Sequence, residues 1–285
     1  MIDLHVHSTA SDGTWAPAEI AEKGRAFSVL ALTDHDNTDG LSEFLPAAGS
    51  IGIPGIELSV DPGEGYSRFH LLGLGFDVDN APLKAFLRRI LEGRNDRNVR
   101  IAENFARIGI EIPPDDLARY AHGAVLARPH FAAWLADHGY APDVSSAFRT
   151  YLTAASPPET RCYETRYRPD PGEAFDLIHA AHGVAIMAHP RFWTSDPDKL
   201  RAGLRRLKER GLDGIEAVYQ VNQPDETIDH LRAARELDLA VTAGSDFHGA
   251  NKPNITLGMT VDDEAAFLAP FFAALSRYGS AYPVS

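Results

Sequence analysis

Residues 1–13 read MIDLHVHSTASDG: two histidines, His5 and His7, flank Val6, and Asp12 follows five residues later. On an extended strand successive side chains alternate faces. His5 and His7 therefore point one way, with Asp3 behind them. Ile2, Leu4 and Val6 face the other way and suit packing under helices. This is a sound geometry for two ligands on one metal ion. With 12 histidines in 285 residues, however, an H-x-H pair also arises by chance, and the stretch needs support from the rest of the chain.

Outward from this stretch, short apolar runs alternate with longer amphipathic ones, the pattern of repeated β–α units. Strands are expected at 2–7, 28–33, 52–60, 68–76, 183–189, 214–219 and 239–247. Helices are expected at APAEIAEKGRAF, DPDKLRAGLRRLKERG and PDETIDHLRAARELD, the last two with apolar residues three and four apart. Seven strands with intervening helices suggest a barrel-like α/β fold, although periodicity does not decide closure. Residues 80–167 break the pattern, reading as helical with no convincing strand. The expected organisation is a barrel from 1–79 and 168–285, interrupted by a helical insertion over 80–167.

The remaining histidines and acids fall where a barrel would use them. ALTDHDN places Asp34, His35 and Asp36 just past the second strand, PGIELS places Glu57 at the end of the third, and RFHLLG places His70 inside the fourth. IMAHPRF ends the fifth strand at His189, and AGSDFHG ends the last with Asp246 and His248, two apart on one face. Any one such histidine is ordinary as a polar residue capping a strand. Six histidines and three acids spread over five or six strand ends are not. Clustered imidazoles and carboxylates are the donors of divalent-metal sites, and barrels build active sites at the C-terminal ends of their strands.

Composition narrows the partners. The formal charge of −13, from 40 acidic and 27 basic residues, disfavours a broad grip on nucleic acid or anionic membrane, so no stable duplex binding is expected. It leaves room for a phosphate substrate, because metal ions and a few arginines can reverse the sign inside a cleft. A single cysteine, Cys162, allows no intramolecular disulfide and suits a reducing cytoplasm. No secretion signal or transmembrane run is visible, so the expected location is cytoplasmic. Cys162 has no activating base nearby in sequence and is not expected to be a nucleophile. His122, His138, His179, His182 and His230 read as structural or solvated.

DLHVHSTASDG, LALTDHDN, GIELS, AHP and GSDFHG resemble, in order, the motifs of the PHP (polymerase and histidinol phosphatase) family of metal-dependent phosphoesterases. The resemblance covers the first 76 residues and about the last 100. It implies a distorted (β/α)7 barrel of the PHP type, with two or three divalent metals at the C-terminal strand ends. Carried over by position, it implies that His5, His7, Glu57 and Asp246 hold one metal, and Asp12, His35 and His248 a second. Glu57, bridging, with His70 and His189 would hold a third. Mixed nitrogen and oxygen donors suit Mn²⁺, the first expectation, or Fe²⁺ or Zn²⁺. The chemistry expected is attack of a metal-bound hydroxide on a phosphate ester of a nucleotide or a short RNA or DNA end. Asp12, His35 and His248 are the catalytic candidates, with Asp12 and His248 steering the leaving-group proton.

The chain is most similar to the small bacterial nucleoside-3′,5′-bisphosphate phosphatase and 5′–3′ exoribonuclease subgroup. There an R-x-H helix over the metals helps hold the substrate phosphate, which makes Arg128 and His130 of LARPHFAAWL and Arg149 of SSAFRTYL substrate-binding candidates. Arginine suits this role because its guanidinium grips phosphate through two parallel hydrogen bonds. Arg191, next to His189, is a further candidate. The subgroup's lysine-bearing loop after F-x-x-Y-L is absent; here the chain reads YLTAASPPETRCYETRY. Three rivals stand beside this reading. A histidinol-phosphate-type phosphatase would show no preference for a nucleoside. An amidohydrolase-like C–N hydrolase would act on substrates without phosphate. A non-catalytic metal-binding accessory module is disfavoured by the full set of nine ligand positions.

Overall fold

The computed structural model describes residues 1–63, 67–121 and 126–282; His122 lies outside them. Seven strands follow in chain order: β1 (Ile2–Asp3), β2 (Val29–Leu32), β3 (Gly52–Val60), β4 (Phe69–Leu74), β5 (Val184–Met187), β6 (Gly214–Tyr219) and β7 (Ala240–Gly244). The helices are α1 (Pro17–Lys23), α2 (Leu41–Ala48), α3 (Ala81–Arg107), α4 (Pro114–Ala121), α5 (Arg128–Asp137), α6 (Val144–Tyr151), α7 (Pro171–Ala180), α8 (Pro197–Glu209), α9 (Pro224–Glu236) and α10 (Glu264–Arg277). Two compact units result, residues 1–87 with 168–285, and residues 88–167.

The first unit is a distorted, nearly closed barrel. Its strands lie in one sheet in sequence order, and β1 meets β7 through Leu4 N–H donating to Ala243 O at 3.0 Å and Asp246 N–H donating to His5 O at 2.8 Å. Neighbours are parallel except at β4, which runs antiparallel to both β3 and β5. The cause is local: residues 61–68 between β3 and β4 are too few for a crossover, which needs about ten to twelve residues including its helix. The reversal has a functional consequence. The start of β4, where His70 sits, lies at the same end as the C-terminal ends of the other strands.

Strands β2 and β5 are buried at every residue, as expected where helices cover the sheet. Several helices open on Asp-Pro or a proline. Asp170 accepts from Gly172 N at 2.8 Å and Asp196 from Asp198 N at 3.0 Å, each followed by a proline in the first turn. The aspartate satisfies otherwise orphaned N–H groups, and proline has none to satisfy. Ile2, Leu4, Leu72, Ile186, Ala243 and Phe271 form the centre of one core between barrel and helices.

The structure corrects three details. Glu57 is not at the end of β3 but in its middle, because β3 continues to Val60 to pair with β4. Strand β1 ends at Asp3 rather than residue 7, since His5 N–H and Val6 N–H turn to the side chains of Asp3 and Thr33. Strand β7 ends at Gly244, so Asp246 and His248 do not share a strand face; Asp246 takes a left-handed φ of 57°.

The second unit carries most of α3 with α4, α5 and α6, and no strand among its described residues. Ile101, Phe105, Phe131, Trp134, Leu135 and Leu152 fill its core, and Cys162 is buried with them. No helix among the described residues is long and apolar enough to cross a membrane.

Candidate metal centre

Nine side chains converge at one end of the barrel: His5, His7, Asp12, His35, Glu57, His70, His189, Asp246 and His248. Their donor atoms form overlapping groups, each within 4.8 Å: His7, Asp12, His35 and His248; His5, Glu57 and His189; His5, His7 and Asp246; His35, Glu57 and His70. Glu57 is the hub. Its Oε1 lies 2.8 Å from His70 Nδ1 and 3.0 Å from His189 Nε2, and its Oε2 2.8 Å from His35 Nδ1 and 3.2 Å from His7 Nε2. Asp12 Oδ1 is 3.2 Å from His248 Nε2, and Asp12 Oδ2 is 3.8 Å from His35 Nε2.

Hydrogen bonds outside the cluster set which ring nitrogens face into it. Glu216 Oε1 accepts from His5 Nδ1 at 3.0 Å. Ser11 spends its proton on Asp34, so its oxygen accepts from His7 Nδ1 at 3.4 Å. His248 Nδ1 donates to Asp246 O at 2.8 Å. In the neutral ring, the form that binds a metal, each bond fixes the tautomer whose Nε2 carries a lone pair. His5 Nε2 and His7 Nε2 then stand 3.2 Å apart with no proton between them, both facing Asp246 Oδ1 at 3.6 and 3.4 Å. Converging lone pairs and carboxylate oxygens call for a cation.

Two further observations fit divalent metals. Asp12 Oδ1, His35 Nδ1 and Glu57 Oε2 are buried without a hydrogen bond, although the last two are 2.8 Å apart; buried polar atoms rarely go unpaired in proteins. The charge balance agrees. Burial works against the His5 imidazolium, yet the Glu216, Glu57 and Asp246 carboxylates hold its pKa well above the usual histidine range. Burial likewise opposes His7, but Asp246 and Glu57 bring it up to about 9. Burial would push the Glu57 carboxyl up, and the His35, His70 and His5 rings instead hold it well below the carboxylate range. The pocket keeps its carboxylates ionised and draws positive charge, which ring protons on His5 and His7 supply until a metal displaces them, and its mixed N/O donor sets suit first-row divalent ions.

The inner ligands are sealed while one side is open. His5 and His7 side chains are fully buried, whereas His35, Asp12 and His70 are 22, 29 and 36% exposed. Solvent reaches the cluster at these three.

Four supporting residues lie outside the nine expected ligands, and of these only Asp34 was noted in the sequence. Glu216, fully buried on β6, accepts from His5 and also, through Oε2, from His189 N–H at 2.7 Å. That second bond tethers a turn in which His189 sits at φ 28°, a conformation costing about 1–3 kcal/mol. Asp34 accepts from Ser8 N–H, Ser8 Oγ and Ser11 Oγ at 2.8, 2.7 and 2.5 Å, fixing the loop that carries Asp12. Tyr219 OH and Lys252 Nζ donate to Asp246 Oδ2 at 3.0 and 2.6 Å, leaving Oδ1 for the cluster. An isolated acid inside the apolar run GIEAVY was the one available signal for Glu216.

The candidates for the substrate phosphate have partners of their own. Arg191 turns to Val221 O and lies 3.3 Å from Glu226 Oε2, because the turn at His189 directs it towards α9. In the second unit, Arg128 Nη1 donates to Leu152 O at 3.1 Å with its guanidinium over Tyr163. His130 Nδ1 accepts from Ala127 N–H at 2.9 Å, which places its proton on Nε2. Arg149 donates to Ser145 Oγ and Ser146 Oγ. The other histidines have structural partners: His138 with Trp134 O, His179 with Asp213, His182 with Tyr278 O, and His230 with Asn222.

A nearly closed barrel with a histidine–carboxylate cluster at its strand ends is the arrangement of a metal-dependent enzyme. No family model matches the chain. It is 33% identical over 267 residues to a 3′,5′-nucleoside bisphosphate phosphatase of Chromobacterium violaceum, covering 92% of both chains. It is 34% identical over 252 residues to a 5′–3′ exoribonuclease of Haemophilus influenzae, covering 86% of this chain and 89% of that one. A solved structure from Chromobacterium violaceum, described as an amidohydrolase with bound sulfate and no metal, superposes with a TM-score of 0.80 at 31% identity, covering 97% of this chain and 96% of that one. The chain belongs to the PHP family of metal-dependent phosphoesterases, and it is a phosphoric ester hydrolase.

Proposed function

We propose that this chain hydrolyses a phosphate ester of a nucleotide or of a short nucleic-acid end, such as the 3′-phosphate of a nucleoside 3′,5′-bisphosphate or the 5′-terminal linkage of RNA, with two or three Mn²⁺ ions. The observation that carries the reading is the inward-facing set of lone pairs on His5, His7 and His248 around Glu57, Asp12 and Asp246. Relatives with similar sequences act on nucleotides and RNA. The sulfate of the solved relative is a tetrahedral oxyanion with the shape of a phosphoryl group.

His5, His7, Glu57 and Asp246 would hold one cation, Asp12, His35 and His248 a second, and Glu57 with His70 and His189 a third. Bound metal supplies charge for the phosphoryl oxygens and acidifies a water near neutral pH. The chain's own groups supply the rest. Glu216, Ser11 and the Asp246 carbonyl would keep ring protons out of the site, and Asp12, at its open side with the buried His248 3.2 Å away, would steer a proton to the leaving oxygen. Arg128, His130, Arg149 and Arg191 are the candidates for the substrate phosphate, His130 through its Nε2–H.

The test is a screen of Mn²⁺-loaded enzyme against 3′,5′-bisphosphonucleotides, mononucleotides, short 5′-phosphorylated RNA and histidinol phosphate. His35→Ala is expected to lose turnover on every substrate. Arg128→Ala is expected to raise KM with kcat largely kept. Preference for histidinol phosphate would overturn the nucleotide reading, and full activity in Arg128→Ala would remove that arginine from the site.

A further inference from the structure

Phe192 is 65% exposed, more than any other large hydrophobic side chain among the described residues. It is not on a remote surface. Its ring centroid lies 5.2 Å from the His189 imidazole and 6.0 Å from the Tyr219 ring. His189 is a member of the cluster, and Tyr219 holds Asp246. Both rings meet Phe192 at steep interplanar angles, 65° and 74°, so neither stacks upon it.

The backbone that carries the ring is held in place. Phe192 N–H donates to His189 O at 3.1 Å, closing a single turn over Pro190–Phe192. That turn is anchored by the Glu216 bond to His189 N–H. The Arg191 guanidinium, fixed by Val221 and Glu226, lies 5.6 Å from the ring. Burial does not explain a phenyl group here, since most of it faces water. An aromatic side chain, with two rotatable bonds, on an anchored turn beside the cluster presents apolar surface at a small ordering cost.

We propose that Phe192 is the platform on which the base of the substrate stacks, making it a specificity-determining residue. This inference rests on the nucleotide reading above. A phenyl face carries no hydrogen-bonding pattern, so it selects for the presence of a base without choosing among bases. The enzyme should accept different bases with similar efficiency and discriminate against the same phosphate ester lacking one.

The experiment compares adenosine 3′,5′-bisphosphate with its abasic tetrahydrofuran analogue on Mn²⁺-loaded wild type, Phe192→Ala and Phe192→Trp. Wild type should favour the base-bearing substrate in kcat/KM by about 5- to 150-fold, the range of a single base–aromatic stack. Phe192→Ala should lose most of that preference through KM, with the abasic substrate unchanged within about twofold, and Phe192→Trp should restore it. If Phe192→Ala keeps the preference, or loses activity equally on both substrates, the platform is refuted while the nucleotide reading stands. A wild type indifferent to the base overturns the nucleotide reading as well.

Discussion

Glu216→Gln is the sharpest perturbation of the centre, because it alters charge and proton position without changing shape. Glu216 accepts two bonds, from His5 Nδ1–H at 3.0 Å and His189 N–H at 2.7 Å, and glutamine has one oxygen. If that oxygen stays on His189, the amide NH₂ faces His5 Nδ1 and drives the ring proton to Nε2, the atom that faces His7, Glu57 and Asp246. If it stays on His5, the NH₂ opposes His189 N–H and the turn at φ 28° loses its tether. Loss of such an orienting partner typically weakens metal binding about 10- to 100-fold, or about 1.4–2.7 kcal/mol. Linkage makes this visible without a substrate. At a Mn²⁺ concentration of about 100 times the wild-type Kd, bound metal stabilises wild type by about 2.7 kcal/mol per site, but the variant by only about 1.4 to 0.4 kcal/mol. Urea unfolding with and without Mn²⁺, alongside competition with a chromogenic chelator, measures both quantities. Wild-type affinity and an undiminished metal-induced stabilisation in Glu216→Gln would refute the tautomer argument.

Three other outcomes are expected. Gly244→Ala would put a Cβ 2.1 Å from Glu216 Oε1 and 2.4 Å from His5 Cβ; overpacking of this kind costs about 1–3 kcal/mol, seen as a lower urea midpoint together with weaker Mn²⁺ binding. Tyr219→Phe removes one of two donors to Asp246 Oδ2 and should cost about 1.5 kcal/mol of stability, the lower end for a bond to a charged group because Lys252 remains; an unchanged unfolding midpoint would contradict that role. Burial pushes the Cys162 thiol up to about 12 from an ordinary 9.0, so the reactive thiolate is disfavoured in the folded state across pH 7–10. Alkylation of the native protein should stay slow over that range and accelerate on unfolding, whereas a rise through pH 9 would show an accessible thiol.

The strands were legible because each is a short apolar run between turn-forming residues, and all seven expected segments contain an observed strand. Their ends were less so. Regular pairing breaks at His5 and Val6 because side chains of Asp3 and Thr33 capture their N–H groups, a competition that strand periodicity does not register. The same holds at Asp246, whose left-handed backbone replaces the expected strand face. Reversal of β4 follows from a connection too short to cross over, and it explains how His70, at the beginning of a strand, joins residues that follow the ends of others. The candidate ligands stood out as histidines and acids recurring at strand ends. Glu216 did not, because its partners His5 and His189 lie 211 and 27 residues away and a lone acid in an apolar strand carries no local pattern. Arg191 was noticed only because it adjoins His189 in sequence, and the ion pair that the turn gives it with Glu226, 35 residues on, has no local signal.

Metal content tests the central claim most directly. The purified chain, reconstituted with Mn²⁺ and passed through a desalting column, should retain two or three ions per chain by elemental analysis, and His7→Ala should retain fewer while remaining folded by circular dichroism. A folded wild-type chain that retains no stoichiometric transition metal would contradict the account.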